Sequence, residues 1–172
     1  MSRLRKILLT SFFILTILML IATWYKLEFS MDVAKEYQLN SMDHERSLVI
    51  ATQGSDFKDS ISAAIANRYR QDTIFIKVMD ISSLSKLQPQ EPTAILLIHT
   101  WENWKPPLEV KEFIKRSSNY KQKIVVLTTS GNGSSKMEDV DAITGESKMA
   151  NVDFYSKQII EKLDPLLNYK NQ

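Results

Sequence analysis

The sequence predicts an α/β fold, a doubly wound five-stranded parallel sheet preceded by one transmembrane helix. Short apolar runs that suit buried strands alternate along the chain with segments of helical periodicity. An uncharged apolar stretch covers residues 7–25. The chain's four glycines, which favour tight turns and close backbone approach, all follow predicted strands: Gly54, Gly131, Gly133 and Gly145.

The apolar stretch at residues 7–25 predicts a membrane anchor. As a helix it is about 28 Å long, close to the roughly 30 Å of a bilayer's hydrocarbon core. A cleaved signal peptide also has a basic start and an apolar run, but this stretch lacks the small residues of a cleavage site. It ends instead on Trp24 and Tyr25, which suit a membrane interface, so an uncleaved single-pass anchor is the favoured interpretation.

Charge near the anchor predicts its orientation. Arg3, Arg5 and Lys6 make residues 1–6 a basic N-terminus, and the positive-inside rule places it in the cytoplasm. The remainder of the chain would then lie on the outer, periplasmic or extracytoplasmic side. Residues 26–46 are polar and mixed in charge, which predicts a stalk or linker before a domain over residues 47–168.

Each element of the domain has its own signal. The runs at 47–52, 94–98 and 123–129 are apolar enough for internal strands, whereas Lys77 within 73–80 suits an edge strand. A shorter strand is predicted at 140–144. Helices are predicted from Asp56, from the proline pair Pro106 and Pro107, and from Asn151 as a cap to Pro165, while residues 82–92 are too polar and proline-rich for a full helix.

Composition excludes several function classes. The chain has no cysteine and therefore no disulfide, thiol nucleophile or thiolate metal site. His44 and His99 are the only histidines, and no nearby residues complete a metal set, so no metal site is predicted. Beyond the basic N-terminus the charge is nearly balanced, which gives no reason to expect nucleic-acid binding. No catalytic acid, base or nucleophile stands out, and His99 is expected to be a hydrogen-bonded structural residue.

The loops after three apolar strands resemble those of flavodoxins, over about residues 47–167. The second loop and the helix after it are similar to the family's threonine, aromatic, proline-pair and lysine-x-phenylalanine run, in Thr100-Trp101, Lys105-Pro106-Pro107 and Val110-Lys111-Glu112-Phe113. Residues 129–133, Thr-Ser-Gly-Asn-Gly, resemble the third loop's hydroxyl and glycine run. The resemblance implies a strand order of 2-1-3-4-5 and FMN as the cofactor, with Trp101 stacking on the flavin ring.

The resemblance also implies which residues hold the flavin. The first loop would bind its phosphate, and the second and third would flank its ring, through Thr52, Gln53, Gly54, Ser55, Thr100, Trp101, Glu102, Asn103, Ser130, Gly131, Asn132 and Gly133. The first loop departs from the family because it does not alternate hydroxyl residues with glycines, and Asp56 follows it directly.

Two functions stay open at this stage. The first is a membrane-anchored flavodoxin-like protein that binds FMN and takes part in electron transfer or quinone-type redox chemistry. The second is a flavodoxin-like binding module that lacks the cofactor and meets a redox or protein partner at Trp101 and Trp104. A phosphoacceptor receiver domain is excluded, since Thr52-Gln53 and His99-Thr100 stand where it needs acidic residues. A Rossmann site is excluded because no Gly-x-Gly-x-x-Gly follows the first strand.

Overall fold

The computed structural model describes residues 3–29, 31–138 and 140–167. The chain divides into two compact units, Met1–Met31 and Asp32–Gln172. The first contains one helix, α1 (Arg3–Phe29), whose segment Arg3–Trp24 is long and apolar enough to cross a membrane, with a mean hydropathy of 2.4. The helix thus agrees in place with the predicted anchor, although a signal sequence shares its length and composition.

The threonine hydroxyls of α1 are satisfied inside the helix. The hydroxyls of Thr10, Thr16 and Thr23 each donate to the carbonyl four residues earlier, at 3.0, 2.9 and 2.8 Å. A hydroxyl bonded in this way does not need water, which suits a helix surrounded by hydrocarbon. The described apolar side chains up to Trp24 are exposed all round the helix.

The second unit is a sheet flanked by helices on both faces. Its strands are β1 (Tyr37–Leu39), β2 (Arg46–Thr52), β3 (Ile74–Asp80), β4 (Ala94–Thr100), β5 (Ile124–Thr129) and β6 (Ala142–Gly145). Its helices are α2 (Asp56–Arg68), α3 (Leu108–Arg116) and α4 (Val152–Leu167). Three 3-10 turns, Ile81–Lys86, Ser118–Lys123 and Met149–Asn151, complete the described elements.

The sheet confirms the predicted fold class. Its strand order is β1-β3-β2-β4-β5-β6, and all neighbouring pairs are parallel except β1 with β3. Without β1, the five parallel strands follow the flavodoxin-like order 2-1-3-4-5. The central strand β4 is buried from Ala94 to His99, as its uninterrupted apolar run predicts for a strand covered on both faces.

Two hydrophobic clusters, one on each face of the sheet, form the core. Leu48, Ile50, Leu96 and Ile98 belong to the cluster that contains residues of α2 and α4. Their strand neighbours Val49, Ala51, Ile95 and Leu97 belong to the other cluster, with residues of α3 and the first 3-10 turn. The period of two along each strand divides the side chains in this way and fixes the register of the sheet.

Most of the segment predicted as a stalk, residues 26–46, belongs to the sheet unit. Its first residues continue α1 to Phe29, but residues from Asp32 onward belong to the sheet unit. The short strand β1 pairs with β3, so β3 is internal and the edge position predicted from Lys77 is wrong. Three residues of mixed polarity are too few for a periodicity to reveal, which explains why β1 escapes sequence analysis.

The last helix also extends beyond its expected end. Pro165 lies inside α4, which continues to Leu167 within the described residues. Leu163 and Leu167 are both fully buried, and Arg46 Nη1 donates to the Leu167 carbonyl at 2.6 Å. Burial and this hydrogen bond offset the amide that proline lacks. Gly145 differs as well, since it closes β6 instead of following it.

Candidate functional site

The structure brings the three predicted loops together at the carboxyl edge of the sheet. They follow β2, β4 and β5, which are neighbours in the sheet. The Trp101 amide donates to the Thr129 carbonyl at 2.8 Å, and the Thr100 amide donates to Gln53 Oε1 at 2.7 Å. Ligands of open α/β sheets bind at this edge, so it is the first place to look for a site.

Gln53 ties the first loop to the second. Its side chain, only 6% exposed, accepts from the Thr100 amide and donates from Nε2 to Glu102 Oε1 at 2.9 Å. Both ends of the amide are therefore engaged within the protein. Thr52 beside it is 1% exposed and donates its hydroxyl to the Gln53 carbonyl at 3.0 Å. The side chains of these two predicted ligand residues are thus used in hydrogen bonds within the protein.

A buried lysine lies under the first loop. Lys58 has no exposed surface, and its Nζ donates to Ser55 Oγ at 3.4 Å. Burial lowers the pKa of Lys58 to about 8, although the Glu102 and Asp59 carboxylates oppose the shift. Ser55 also caps α2, since its hydroxyl accepts from the Lys58 amide. Asp56, from which the sequence predicts this helix, is its first residue, and Ser55 is its cap.

His99 is a buried and neutral histidine at the end of β4. It has no exposed surface, and its Nε2 shares a 3.1 Å hydrogen bond with Thr128 Oγ1. Burial, with a smaller contribution from the nearby Lys58 ammonium, lowers the pKa of His99 to about 4. The imidazole is thus uncharged at neutral pH. This arrangement agrees with the hydrogen-bonded structural role expected from the sequence.

A chain of three hydroxyls joins the second and third loops to the segment after β6. Thr100 Oγ1 and Thr129 Oγ1 lie 2.7 Å apart, and Ser147 Oγ donates to Thr129 Oγ1 at 2.8 Å. Sequence analysis missed Ser147, because a single serine beyond a short strand carries no signal of its own. The chain of hydroxyls thus links these three segments at the edge of the sheet.

The protein's own backbone closes the first loop. We call residues 32–34 the strap. The Gly54 amide donates to the Asp32 carbonyl at 2.7 Å, and a Cβ built on Gly54 would lie 2.7 Å from the Val33 carbonyl oxygen. The strap is held from its other end, where the Ala34 amide donates to Asp80 Oδ2 at 2.8 Å and Ala34 is 4% exposed. The backbone space at Gly54 is thus filled.

The third loop folds on itself. Asn132 Oδ1 accepts from Ser130 Oγ at 2.8 Å and from the Ser134 amide at 3.2 Å, in the manner of an Asx turn. Gly133 adopts a φ of 68°, which glycine tolerates. Gly131 is exposed, and a Cβ built on it would meet nothing within 4 Å. The loop therefore leaves its outer side open.

The second loop ends in a tight hairpin turn. Glu102 and Lys105 exchange two backbone hydrogen bonds of 3.0 Å, and the central residues Asn103 and Trp104 have φ angles of 49° and 59°. Two positive φ angles define a type I′ turn, whose usual occupants are asparagine and glycine. Asn103 suits its position, but Trp104 does not. Trp104 is nevertheless 91% exposed, so no packing explains its strained backbone.

The described residues do not supply a metal site. No group of three or more His, Cys, Asp or Glu side chains in residues 3–29, 31–138 and 140–167 is arranged to hold an ion. The twelve residues predicted to hold a cofactor do share one edge, but much of their hydrogen-bonding capacity is used internally. Their role as cofactor ligands stays a prediction.

A groove that sequence analysis did not anticipate lies along α3. It has a volume of about 620 Å³, and Trp101 is the one predicted cofactor residue in its wall. The signal that could have revealed it is the connection at residues 130–141, which links two parallel strands and has no helix among its described residues. Such a crossover leaves part of a doubly wound sheet thinly covered.

Fold and edge together define the class of protein as a flavodoxin-like α/β domain, preceded by a helix apolar enough to span a membrane. No family model matches the chain, and no curated protein does.

Several solved structures are similar to the chain at low identity. A flavodoxin from the domain Archaea is 12% identical, with 70% of this chain and 74% of that chain covered and a TM-score of 0.38. An NADPH-quinone reductase from P. pentosaceus is 13% identical over 68% and 77%, with a TM-score of 0.34. General stress protein 14 from Treponema denticola, solved in complex with FMN, is 10% identical over 72% and 79%, with a TM-score of 0.35.

Proposed function

We propose that the chain is a membrane-anchored binding module that contacts a protein partner through the hairpin turn at residues 102–105. The observation that carries the proposal is Trp104, which is 91% exposed and has a φ of 59°. A left-handed backbone costs a non-glycine residue on the order of 1–3 kcal/mol. A fold that keeps a large apolar residue there, where nothing in the described domain covers it, favours a role in recognition over one in stability.

The chemistry of tryptophan suits such a role. Tryptophan combines a large apolar surface with an indole N–H donor, and it is enriched among the residues that dominate binding at protein interfaces. A two-residue turn also presents it on a rigid support, so little conformational entropy is lost on binding. Lys105, the next residue of the turn, is exposed and adds a positive charge to the same segment.

The closed first loop supports a module that works without a flavin. A flavodoxin phosphate site depends on free backbone amides and on space beside a glycine. Here the Gly54 amide is bonded to Asp32, and the strap occupies the space beside Gly54. The residues of this loop, in the conformation described, do not fit an FMN phosphate. No step of the proposed function passes through a flavin.

Site-specific photo-crosslinking tests the proposal. A benzophenone amino acid is placed at position 104 in the full-length chain within its native membrane, and at position 154 in a control. Phe154 is the matched control because it is an exposed aromatic, 61% accessible, on α4. We expect one discrete crosslinked protein from position 104 only, lost when unlabelled wild-type chain competes. Equal products from both positions, or none from position 104, would refute the proposal.

A second candidate function is supported by the convergence of the three loops. They meet at the edge where the flavodoxin-like order places ligands, and the aromatic Trp101 follows β4 there. If FMN binds, it would supply one- or two-electron chemistry for electron transfer or quinone reduction, and Thr100, Trp101 and the third loop would flank its ring. The strap would have to leave Gly54 first. A flavin spectrum in the purified protein would favour this candidate.

The proposal also includes a topology, with the N-terminus in the cytoplasm and the domain on the outer side of the membrane. It is supported by the positive charges of Arg3, Arg5 and Lys6 before the apolar helix. Because the chain has no cysteine, one introduced thiol reports its own location. We expect Asn119→Cys, at an exposed site, to react with a membrane-impermeant maleimide in intact cells and Ser2→Cys to react only after lysis.

A further inference from the structure

The groove along α3 has the form of a ligand site. Its lining includes Trp101, Ile114, Met137 and Val140, which give it an apolar floor and one aromatic wall. A second hollow of about 380 Å³ shares Ile114, Lys121 and Val140 with it and continues it over the start of β5. Ligand pockets typically have volumes of about 300–1,000 Å³ and predominantly apolar linings, so the groove falls within that class.

The topology explains why this face is open. The connection from β5 to β6 covers residues 130–141 and contains no helix among its described residues. On this face of the sheet, Met137 and Val140 of the connection pack against the core cluster that contains Val126 and Ile114. Both side chains are only partly buried. An α-helix in the connection would fill the space between α3 and β6. Its absence leaves an apolar trough at the surface.

The rim of the trough is positively charged. Among its described lining residues are four lysines and one acidic residue: Lys111, Lys115, Lys121, Lys136 and Glu138. Lys111 and Lys115 are one helical turn apart on α3, both exposed, and neither forms an ion pair with a described residue. Two like charges at this spacing repel each other, which costs a few tenths of a kcal/mol. An anion between them would remove that cost.

We propose that this groove binds a small amphiphilic anion, with an aromatic or aliphatic body on the apolar floor and an acidic head group between Lys111 and Lys115. The apolar floor excludes a purely polar anion such as inorganic phosphate as the whole ligand. The lysine pair disfavours a neutral or cationic ligand of the same shape. The inference is independent of the proposed function, because the groove lies beside α3 and the lining residues do not include Trp104.

Trp101 provides a direct reporter, because its indole lines the groove. With Trp24→Phe and Trp104→Phe, Trp101 is the sole tryptophan of the full-length chain, since the chain has three. The protein is held in nanodiscs of neutral lipid and titrated with 2-naphthalenesulfonate, with empty nanodiscs subtracted. We expect saturable quenching of Trp101 at one site. The neutral isostere 2-naphthalenesulfonamide and inorganic phosphate alone should each bind at least about fivefold more weakly.

Charge variants separate the groove from the rest of the surface. Lys111→Gln with Lys115→Gln is expected to weaken the sulfonate at least about fivefold, because both head-group partners are lost. Lys35→Gln with Lys86→Gln removes two exposed lysines elsewhere and should leave the affinity unchanged. Three results would overturn the proposal: no saturable quenching in the single-tryptophan protein with all its lysines, equal binding of the sulfonate and the sulfonamide, or equal weakening by both double variants.

A chemical footprint keeps the inference testable if the lysine variants fail to fold. Acetylation of each lysine by a succinimidyl ester is followed by mass spectrometry, with and without saturating 2-naphthalenesulfonate. Lys111 and Lys115 should be protected several-fold, whereas Lys86 should react at the same rate in both samples. Protection that is uniform over the three lysines, or absent from Lys111 and Lys115, would contradict the site. The photo-crosslinking result at position 104 does not depend on either outcome.

Discussion

At the scale of single residues, the buried His99 at the carboxyl edge of the sheet makes the stability of the domain depend on pH. His99 is buried with a pKa of about 4, well below the ordinary value of 6.5. Between these values the unfolded chain binds a proton that the folded chain does not. The part of the unfolding free energy that depends on a neutral His99 is therefore fully present above about pH 6.5. It is lost as the pH falls from about 6.5 towards about 4. The loss reaches about 3 kcal/mol near pH 4 for a shift of this size.

His99→Gln is expected to remove that acid sensitivity. Glutamine has an amide that can keep the hydrogen bond to Thr128, but it cannot take up a proton in this range. Urea unfolding at about pH 7.5 and pH 4.5 measures the difference in unfolding free energy. We expect the wild type to lose about 2–3 kcal/mol more than the variant between these two values. An identical loss in both proteins would show that His99 is not the group that titrates.

Trp104 provides a second test for a single residue. The question is whether this tryptophan is kept for binding at a cost in stability. Trp104→Gly should raise the unfolding free energy by about 1 kcal/mol, because glycine adopts the left-handed backbone without strain. The same change should abolish the crosslinked partner. Asn103→Gly is the control, and its gain should be smaller because asparagine already tolerates this conformation. A destabilised Trp104→Gly protein would mean that the tryptophan packs in the fold after all.

At the scale of elements, the strap decides what the first loop can bind. It is held by Gly54 at one end and by Asp80 at the other. A methyl group at Gly54 would press on the Val33 carbonyl and the Asp32 backbone, at 2.7 and 2.9 Å, and rigid backbone has little room to yield. The strap is therefore an integral layer over the loop, although its residues lie within the segment 26–46 that the sequence presents as a stalk.

Gly54→Ala is expected to displace the strap and to lower the unfolding free energy by about 1–3 kcal/mol. Gly131→Ala is the matched control, because a Cβ there meets nothing within 4 Å. Hydrogen exchange of the Ala34 amide, bonded to Asp80 in the native state, reports on the strap itself. We expect its exchange to accelerate in Gly54→Ala alone. Unchanged exchange together with unchanged stability would mean that the strap does not press on Gly54.

Elements with strong patterns were predictable, and weak or non-local ones were not. β2, β4 and β5 are apolar runs bounded by turn residues, and the structure places each within two residues of its predicted bounds. β1 has three residues and exists because β3 offers an edge, which no local pattern records. The extension of α4 past Pro165 depends on Arg46, more than a hundred residues earlier in the chain.

At the scale of the whole molecule, parallel strand order made the position of the site predictable. Loops after neighbouring parallel strands must meet at one edge, so Gln53, Thr100 and Thr129 come together as expected. Their partners were not predictable. The strap, the buried pairing of Lys58 with its neighbours and the groove along α3 all arise from tertiary packing, which sequence periodicity does not encode. The same limit applies to the φ of Trp104.

The protein's own strap closes the first loop, and from this closure we infer that the domain works as a binding module without a flavin. Titration of FMN into the full-length chain in nanodiscs, followed by flavin fluorescence and by the visible spectrum of the freshly purified protein, tests it most directly. We expect a colourless protein and flavin fluorescence that free FMN alone explains. A protein that purifies yellow, or that quenches stoichiometric FMN, would contradict it.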